Sequence, residues 1–368
     1  MTDTAARARG LATLSVGTSE PNPRVGCVLL ARDGGQLGEG HTQRAGGPHA
    51  EVMALLAARE AGHDVRGATA YVTLEPCSHH GRTPPCCDAL IEAGVAKVVV
   101  AIVDPNPLVS GQGIARLRAA GVEVEVVGGE WGAASRELKI GFFSRMIRGR
   151  PWVRMKIAAS LDGRTALDGG ASQWITGEAA RADGHAWRKR AGAVLTGIGT
   201  VREDDPRLDV RLVPTERQPL RVLVDSRLDV APTARVLQPP GQALIYTASS
   251  DAARIASLTA PHIEVARLPA NAHGKTDLAA LLIDLARREV NELHVEAGEK
   301  LNGSLLREGL VDELLVYVAP RLFGPGRGMA AIGPLASLAE SLDFEFVDVE
   351  RVGVDLRLRL RPPGRAVF

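Results

Sequence analysis

The sequence predicts an α/β protein with two domains. In both halves of the chain, short apolar runs typical of buried strands alternate with segments whose apolar spacing fits helices. The halves are separated by Arg148-Gly149-Arg150-Pro151, which combines charge, glycine and proline as domain boundaries often do. At 368 residues the chain is long enough for two hydrophobic cores. We therefore expect one domain over residues 1–148 and another over residues 149–368.

The first half predicts an α/β/α sandwich around a central sheet. The almost continuous apolar run Val25–Leu30 is typical of a buried central strand, and Asp33-Gly34-Gly35 predicts a turn into a second strand at 36–40. Further strands are expected at 70–74, 98–103 and 122–127, and helices at 5–14, 50–56, 89–91, 113–120 and 131–148. Cys27 lies in the apolar run and is interpreted as a core residue.

The second half repeats this alternation with its own core. Strands are expected at 152–159, 194–197, 220–224, 243–246, 292–295 and 313–319, and helices at 178–190, 278–288 and 300–307. No Gly-x-Gly-x-x-Gly motif follows a strand, so that fingerprint does not support a nicotinamide cofactor. The glycine-bearing helix start at 298–304 could bind phosphate, and Arg188 and Arg211 could hold one. The residues alone therefore predict a ligand-binding α/β domain.

Composition favours a small substrate over a macromolecular one. The formal net charge is only +1 and aromatic residues make up 4% of the chain, which leaves little for a nucleic-acid-binding surface. No apolar run is long enough to span a membrane, and the polar N-terminus does not resemble a signal peptide. All four cysteines lie in the first quarter, which suits a local metal site in the reducing cytoplasm.

The strongest motif is Pro48-His49-Ala50-Glu51, followed later by Glu75-Pro76-Cys77 and by Cys86. One imidazole and two thiolates fill three positions of a tetrahedral zinc site and leave the fourth for water, which is the arrangement of a catalytic site. The proton of that water must still be moved, and Glu51 is the candidate because it lies two residues from a ligand. This pattern predicts Zn²⁺ held by His49, Cys77 and Cys86.

The pattern matches the His-x-Glu and Pro-Cys signature of zinc nucleobase deaminases, with one departure. The usual second half is Pro-Cys-x-x-Cys, whereas eight residues separate Cys77 from Cys86. Prolines and a glycine in this insert stiffen and turn it, so both sulfurs can still reach one ion. Three alternatives remain open: a disulfide between these cysteines, replacement of one sulfur by His79 or His80, and a purely structural zinc site.

The first half resembles the deaminase half of the bifunctional riboflavin-biosynthesis deaminase/reductase family. The motifs that carry this resemblance are Asn22-Pro23-Arg24-Val25-Gly26-Cys27, Gly46-Gly47-Pro48-His49-Ala50-Glu51, Thr73-Leu74-Glu75-Pro76-Cys77-Ser78-His79, Gly81-Arg82-Thr83-Pro84-Pro85-Cys86 and Asp104-Pro105-Asn106-Pro107. The resemblance implies a cytidine-deaminase-like fold and the family's spacing between the cysteines. It also implies deamination of a diaminopyrimidinone that carries ribosylamine 5′-phosphate, in contact with Asn22, Arg82 and Asn106. One residue departs, because Thr42 stands where the family usually has a substrate-contacting histidine, and His41 lies one place earlier.

The second half resembles the reductase half of the same family, which implies a dihydrofolate-reductase-like fold and NADPH. The motifs are Lys156-Ile157-Ala158-Ala159-Ser160-Leu161-Asp162-Gly163-Arg164-Thr165-Ala166, Ser172-Gln173-Trp174-Ile175-Thr176, Gly199-Thr200-Val201, Asp204-Asp205-Pro206-Arg207-Leu208, Val224-Asp225-Ser226 and Glu296-Ala297-Gly298. The cofactor-binding residues that the resemblance implies are Ala158, Trp174, Thr200, Asp204, Ser226, Gly298, Glu299, Lys300, Leu301, Asn302, Gly303 and Ser304. The substrate-binding residues that it implies are Lys156, Ser172, Arg188, Leu208, Arg211 and Glu296.

The leading hypothesis is therefore a two-domain enzyme that deaminates and then reduces one pyrimidine nucleotide. Hydride transfer to C1′ of the open-chain ribosyl group would give the ribityl product, with Lys156 and Glu296 as candidate proton donors. We expect a small-molecule partner, no nucleic acid, no membrane, and a homo-oligomer. The alternatives are a zinc deaminase acting on another nucleotide or RNA with a nucleotide-binding domain that is not a reductase, and a structural zinc domain fused to a nucleotide-sensing module.

Overall fold

The computed structural model describes residues 3–368 of the chain. These residues fall into two compact units that divide between Gly149 and Arg150. Within residues 3–368, none of the helices has the length and apolar character needed to cross a lipid bilayer.

The first unit is built on a five-stranded sheet in the order β2-β1-β3-β4-β5. Its strands are β1 (Gly26–Leu30), β2 (Gln36–His41), β3 (Thr69–Val72), β4 (Lys97–Val100) and β5 (Glu123–Val126). β1 runs antiparallel to β2 and β3, whereas β3, β4 and β5 are parallel to one another. Its helices are α1 (Asp3–Thr13), α2 (Ala50–Glu60), α3 (Cys86–Glu92), α4 (Gln112–Ala119), α5 (Gly129–Leu138) and α6 (Ile140–Arg148).

Small residues let α2 lie directly on β2. Ala50, Ala54 and Ala58 form the fully buried face of the helix. A Cβ atom at Gly40 would lie 2.5 Å from the Ala54 backbone nitrogen, and one at Gly38 would lie 2.4 Å from the Ala54 carbonyl oxygen. Contacts this short are sterically forbidden, so glycine at these positions permits the close approach. Gly38 and Gly40 therefore set how closely α2 packs against β2.

The helix predicted over residues 131–148 is two helices, which corrects the sequence expectation. α5 and α6 meet at Lys139, whose φ of −112° and ψ of 17° leave the helical region. Its side chain is buried, and its Nζ donates to the Thr73 carbonyl oxygen at 3.0 Å. A buried amine needs such an acceptor, and the break between the helices lets Lys139 reach it. Amphipathic spacing alone did not reveal this constraint.

The second unit is built on a nine-stranded sheet in the order β11-β10-β9-β8-β12-β6-β13-β16-β15. Its strands, with a separate β7–β14 pair, are β6 (Trp152–Ser160), β7 (Ala166–Leu167), β8 (Ala193–Gly197), β9 (Leu220–Val224), β10 (Ala243–Thr247), β11 (Ile263–Arg267), β12 (Glu292–Val295), β13 (Glu313–Ala319), β14 (Gly326–Arg327), β15 (Glu345–Val352) and β16 (Asp355–Arg361). The strands from β11 to β13 are parallel, and β16 and β15 extend the sheet in antiparallel fashion.

Five helices accompany this sheet: α7 (Glu178–Arg190), α8 (Ile198–Asp204), α9 (Ala252–Leu258), α10 (Leu278–Arg287) and α11 (Glu299–Arg307). The core places the apolar face of α10, including Leu281 and Leu285, against the parallel strands. In open parallel sheets, ligands bind at the carboxyl ends of the strands. The turn from β8 into α8 and the turn from β12 into α11 both lie at such ends.

A buried ionic cluster joins β6 and β13 to β16. Glu313 is fully buried and accepts hydrogen bonds from Arg154 Nε at 2.5 Å, Arg359 Nη2 at 3.0 Å and Arg361 Nη2 at 2.6 Å. These guanidinium groups hold the pKa of Glu313 well below its usual range, although burial alone would raise it. A buried carboxylate is tolerated here because each oxygen has a charged donor.

Candidate active sites

His49, Cys77 and Cys86 converge in the first unit. His49 lies at the N-cap of α2, Cys77 follows β3, and Cys86 is the first residue of α3. Their ligand atoms all lie within 4.8 Å of one another. His49 Nδ1 is 3.6 Å from Cys77 Sγ and 3.3 Å from Cys86 Sγ.

These spacings fit a tetrahedral zinc ion. With Zn–S bonds of about 2.3 Å and a Zn–N bond of about 2.0 Å, a tetrahedron places sulfur and nitrogen ligands about 3.5 Å apart. The observed separations of 3.6 Å and 3.3 Å match that edge length. Cys77 and Cys86 are free thiols, as are Cys27 and Cys87. The donor set of one imidazole and two thiols is therefore suited to zinc with one open position.

The two thiols share one proton, and their surroundings favour ionisation of the pair. Hydrogen bonding to Cys86, supported by His49, lowers the pKa of Cys77 to about 4 despite its burial. The Cys86 amide at the start of α3 also donates to Cys77 Sγ at 3.3 Å. Sharing its proton with Cys77 and burial both raise the pKa of Cys86. A pair of thiols that loses a proton readily is suited to binding a cation, which displaces the proton that remains.

Glu51 lies in the first turn of α2, close to the same group of ligands. Its side chain is buried, and burial raises the pKa of its carboxyl to about 7, with a further rise from the negative charge of Cys77. It is close enough to Cys86 for a hydrogen bond to that thiol. A carboxyl whose pKa lies near neutrality can both accept and donate a proton at that pH.

The residues implied as deaminase substrate contacts lie in loops. Asn22 is half-buried in the turn after α1, and its backbone amide donates to the Ser19 carbonyl oxygen at 2.8 Å. Arg82 lies in the insert between Cys77 and Cys86. Asn106 follows β4, and its Oδ1 accepts from the Leu108 backbone amide at 3.1 Å.

Thr42, the residue that departs from the resemblance, makes a local contact with the backbone. Its side chain is buried, and its Oγ1 accepts from the Val25 amide at 3.2 Å. The hydroxyl therefore joins the end of β2 to the chain leading into β1. Neighbouring His41 is partly exposed, and burial lowers its pKa.

The second unit contains a large cleft of about 1250 Å³. It is lined by nearly all residues that the resemblance implied for the reductase: Lys156, Ala158, Ser172, Trp174, Arg188, Thr200, Asp204, Leu208, Arg211, Ser226, Glu296, Gly298, Glu299, Lys300, Leu301, Asn302 and Ser304. Gly303 does not line the cleft. A Cβ atom at Gly303 would lie 2.2 Å from the Ala331 carbonyl oxygen, so this residue packs against the chain after β14.

A network of charges lies at one end of the cleft. Arg188 donates from Nε to Glu296 Oε1 at 2.5 Å and from Nη2 to Oε2 at 2.9 Å. Lys156 Nζ lies 3.9 Å from Glu296 Oε2, and His294 Nε2 lies 3.3 Å from Oε1. Arg188 and Lys156 hold the pKa of Glu296 well below its usual range, overcoming the opposite effect of burial. Burial lowers the pKa of Lys156, so its ammonium form is a better acid than that of an exposed lysine.

Two residues beside the arginines were missed by the sequence analysis. Asp209 is buried and accepts from Arg211 Nη1 at 2.6 Å. His185 accepts from the Arg211 amide at 3.1 Å through Nδ1, and burial lowers its pKa to about 4, helped by the nearby Arg188. The helical spacing of Arg188 from His185, three residues apart on α7, was the only signal for the histidine.

The start of α11 provides the features expected of a phosphate site. The Gly298 amide donates to Thr200 Oγ1 at 3.1 Å, which ties the α11 N-terminus to α8. No atom lies within 4 Å of a Cβ position at Gly199, so a ligand can approach the backbone there. Helix N-termini bind phosphates through free amides and the helix dipole. The cleft therefore combines room for a dinucleotide with a helix N-terminus on its wall.

Comparison with known proteins identifies the family. Residues 151–358 match the family model of the RibD C-terminal domain, and residues 3–102 match that of the cytidine and deoxycytidylate deaminase zinc-binding region. The riboflavin biosynthesis protein RibD of Escherichia coli is 46% identical over 96% of this chain and 97% of its own length. That of Aquifex aeolicus is 42% identical over 95% of each chain. The chain belongs to the RibD family.

Solved structures of RibD proteins match the whole chain. Acinetobacter baumannii RibD, form 1, has a TM-score of 0.87 at 42% identity and covers 98% of both chains. The diaminohydroxyphosphoribosylaminopyrimidine deaminase/5-amino-6-(5-phosphoribosylamino)uracil reductase of Thermotoga maritima also has a TM-score of 0.87, at 35% identity, covering 98% of this chain and 97% of its own.

As a RibD protein, the chain is a bifunctional enzyme of riboflavin biosynthesis with a deaminase domain and a reductase domain. Its cofactors are Zn²⁺ and NADPH, and its substrates are small pyrimidine nucleotides. The sequence predictions of family, fold class, activity and cofactors are confirmed, and an alternative in which the second half is not a reductase is not supported.

Proposed function

We propose that residues 1–148 deaminate 2,5-diamino-6-ribosylamino-4(3H)-pyrimidinone 5′-phosphate. We propose that residues 149–368 then reduce the ribosyl group of the product to give 5-amino-6-ribitylaminouracil 5′-phosphate. In the first step water replaces an amine on the ring and ammonia leaves. In the second step a hydride adds to C1′ of the open-chain form and a proton adds to the nitrogen double-bonded to it, which leaves a single C1′–N bond. The observation that carries the first assignment is the convergence of His49, Cys77 and Cys86 beside buried Glu51.

In the deaminase, His49, Cys77 and Cys86 hold the zinc ion, which when bound activates a water molecule for attack on the ring. Glu51 takes the proton of the water and delivers it to the departing amine. Its raised pKa suits both halves of this transfer at neutral pH. Asn22, Arg82 and Asn106 contact the substrate, and the half-buried side chains of Asn22 and Asn106 support this role because each remains accessible to a ligand.

In the reductase, NADPH supplies the hydride when bound. Gly298 to Ser304, together with Ala158, Trp174, Thr200, Asp204 and Ser226, bind the cofactor; Gly303 contributes by letting α11 pack closely rather than by contact. Ser172, Arg188, Leu208, Arg211 and Glu296 hold the ribosylaminouracil phosphate, with Lys156 near the ribose. The cleft lining and the α11 N-terminus support these roles.

The proton in the reduction comes from Lys156. Its lowered pKa makes its ammonium group a competent acid, and Glu296 lies 3.9 Å away to keep that group charged before transfer. Glu296 is the less suitable donor, because Arg188 and Lys156 hold it in its ionised form.

The chain acts on free nucleotides rather than on nucleic acid, which the net charge of +1 supports. It works in the cytoplasm, where the free thiols of Cys77 and Cys86 stay reduced. It also forms a homo-oligomer. β15 lies at the edge of the nine-stranded sheet and exposes Phe346 and Val349, and the unpaired backbone groups of an edge strand can pair with another chain. Light scattering at several concentrations tests the last point.

The experiment incubates the full chain with the diaminopyrimidine phosphate, with and without NADPH, and follows ammonia and NADPH oxidation. We expect ammonia release without NADPH, and NADPH oxidation only after ammonia appears. NADPH oxidation before ammonia would reverse the proposed order, and no ammonia at all would refute the deaminase assignment.

A further inference from the structure

Glu75 is a buried carboxylate in the first unit that none of the roles above uses. It lies between β3 and Cys77, and only 3% of its surface is exposed. Its carboxylate accepts three backbone hydrogen bonds, all from the segment after β4. Oε2 accepts from the Asp104 amide at 3.2 Å and from the Gly111 amide at 3.0 Å, and Oε1 accepts from the Ile114 amide at 3.1 Å.

These donors lie at the two ends of one loop. Asp104 begins the loop that follows β4, whereas Gly111 and Ile114 belong to the start of α4. A single side chain therefore closes the loop over residues 104–114. The α4 amides also place the positive end of the helix dipole toward the carboxylate, which strengthens the attachment.

The closed loop carries Asn106. The Asn106 amide donates to Asp104 Oδ1 at 2.7 Å, and the Asn106 carbonyl oxygen accepts from the Val109 and Ser110 amides at 2.8 Å. Asn106 is therefore fixed in place by the two ends of the loop, which Glu75 holds together.

The loop also lies directly against the cysteine segment. A Cβ atom at Gly113 would lie 2.0 Å from the Pro76 carbonyl oxygen, so the first turn of α4 touches the peptide before Cys77. Glu75, Pro76 and Cys77 are consecutive, which leaves little freedom between the carboxylate and the ligand sulfur. The same short segment thus fixes both Cys77 and the loop that bears Asn106.

We propose that Glu75 is a positioning residue of the deaminase, which sets the distance between the substrate-contacting Asn106 and the metal ligand Cys77. It does so through the three backbone amides rather than by touching substrate. The proposal rests on the proposed function, since it takes Asn106 as a substrate contact.

The test is Glu75→Gln in the full chain. A glutamine side chain has one acceptor oxygen and one NH₂ group, so at least one of the three amides would face another donor. We expect the KM of the deaminase substrate to rise about tenfold, the effect of losing about one well-placed hydrogen bond, while kcat falls less. We also expect faster amide hydrogen exchange across residues 104–114 in the zinc-free protein, and unchanged zinc content per chain.

Asp64→Asn is the matched control. Asp64 is an exposed carboxylate in the same unit that also accepts a backbone amide, from Arg66 at 3.0 Å, and lies in the α2–β3 connection. It undergoes the same carboxylate-to-amide change and should leave the KM and the exchange of residues 104–114 unchanged. A Glu75→Gln protein that has lost zinc in proportion to its activity would show that Glu75 supports metal binding instead, and would overturn the proposal.

A double-mutant cycle with Asn106→Ala then tests whether Glu75 acts through Asn106. If Glu75 acts through Asn106, Glu75→Gln should change the KM much less in the Asn106→Ala background than in the wild-type chain. Additive effects, or a KM that Glu75→Gln leaves within twofold of wild type, would overturn the proposal. Failure of the proposed function is distinguishable, because the wild-type chain would then release no ammonia from the same substrate.

Discussion

Arg188 and Glu296 form a forked ion pair, with Arg188 Nε and Nη2 each donating to a different carboxylate oxygen, at 2.5 Å and 2.9 Å. The pair bridges α7 and the turn that follows β12. It leaves Arg188 Nη1 to donate to the Asp209 carbonyl oxygen at 2.9 Å. Arg188 is therefore already bonded before any phosphate arrives, and its guanidinium plane has a fixed orientation.

We predict that Glu296→Gln selectively impairs reduction. Loss of the carboxylate charge removes the interaction that raises the pKa of Lys156, so that pKa falls further and less of the lysine is charged at neutral pH. NADPH oxidation with the deaminated substrate should slow by at least about tenfold. Ammonia release in the same preparation is the control, and an equal loss of both activities would point to misfolding rather than to this charge.

We predict that Glu51→Gln abolishes deamination while the metal stays bound. An amide cannot shuttle a proton, and general acid–base catalysis contributes about 10² to 10⁴ in rate. Zinc content measured by mass spectrometry should equal that of the wild type, because Glu51 is not among the three converging ligands. Substantial residual ammonia release would refute the role of Glu51, and loss of zinc would make it a ligand.

We predict that zinc removal exposes one reactive thiol. Without the metal, the hydrogen bond to Cys86 lowers the pKa of Cys77, which is also the less buried of the two thiols, whereas burial raises the pKa values of Cys27 and Cys87. Iodoacetamide at about pH 6 should then alkylate Cys77 first, because the thiolate is the nucleophile. Peptide mapping with and without chelator measures this, and the zinc-loaded chain should be protected. Preferential labelling of Cys27 or Cys87 would contradict the assignment.

We predict that Glu313 makes the second unit sensitive to acid. Its folded-state pKa lies below its unfolded value of about 4.3, so the stabilisation is fully present above that pH and is lost as pH falls toward the folded-state pKa. Glu313→Gln should lower the free energy of unfolding at pH 7 by about 3 to 5 kcal/mol, since it leaves buried guanidinium groups without their carboxylate. The difference from wild type should shrink below about pH 4.

Calorimetry across this pH range measures the effect, with Glu264→Gln as the control. Glu264 pairs with Arg288 at the surface, where an ion pair contributes about 0 to 1 kcal/mol. Equal destabilisation by both substitutions would show that the buried Glu313 cluster contributes no more to the free energy of unfolding than a surface ion pair.

Local patterns predicted the elements that depend on local signals. β12 and α7 were both predicted with their observed bounds, α7 because its spacing is helical. The break at Lys139 could not be predicted, since its cause is the Thr73 carbonyl oxygen 66 residues away. α8 was missed because a seven-residue helix after a strand carries little periodicity.

In the candidate sites, too, local motifs were predictable and contacts between distant residues were not. Motif and spacing selected His49, Cys77, Cys86 and Glu51 as candidates, and the first three converge in the structure. Arg188 is held by Glu296 across a sequence separation of 108 residues, and Glu75 holds the amides of a distant loop across separations of 29 to 39 residues. Contacts between residues this far apart in the sequence depend on the tertiary structure and cannot be inferred from local patterns.

The close contact between Gly40 on β2 and Ala54 on α2 limits which substitutions this enzyme can accept. α2 carries His49 and Glu51, so one added methyl group on β2 would push the catalytic helix outward without altering any residue that touches metal. Random mutagenesis screened for lost ammonia release should therefore yield hits at Gly38 and Gly40. Laboratory evolution toward new pyrimidines would have to leave both positions untouched and draw its diversity from the loops.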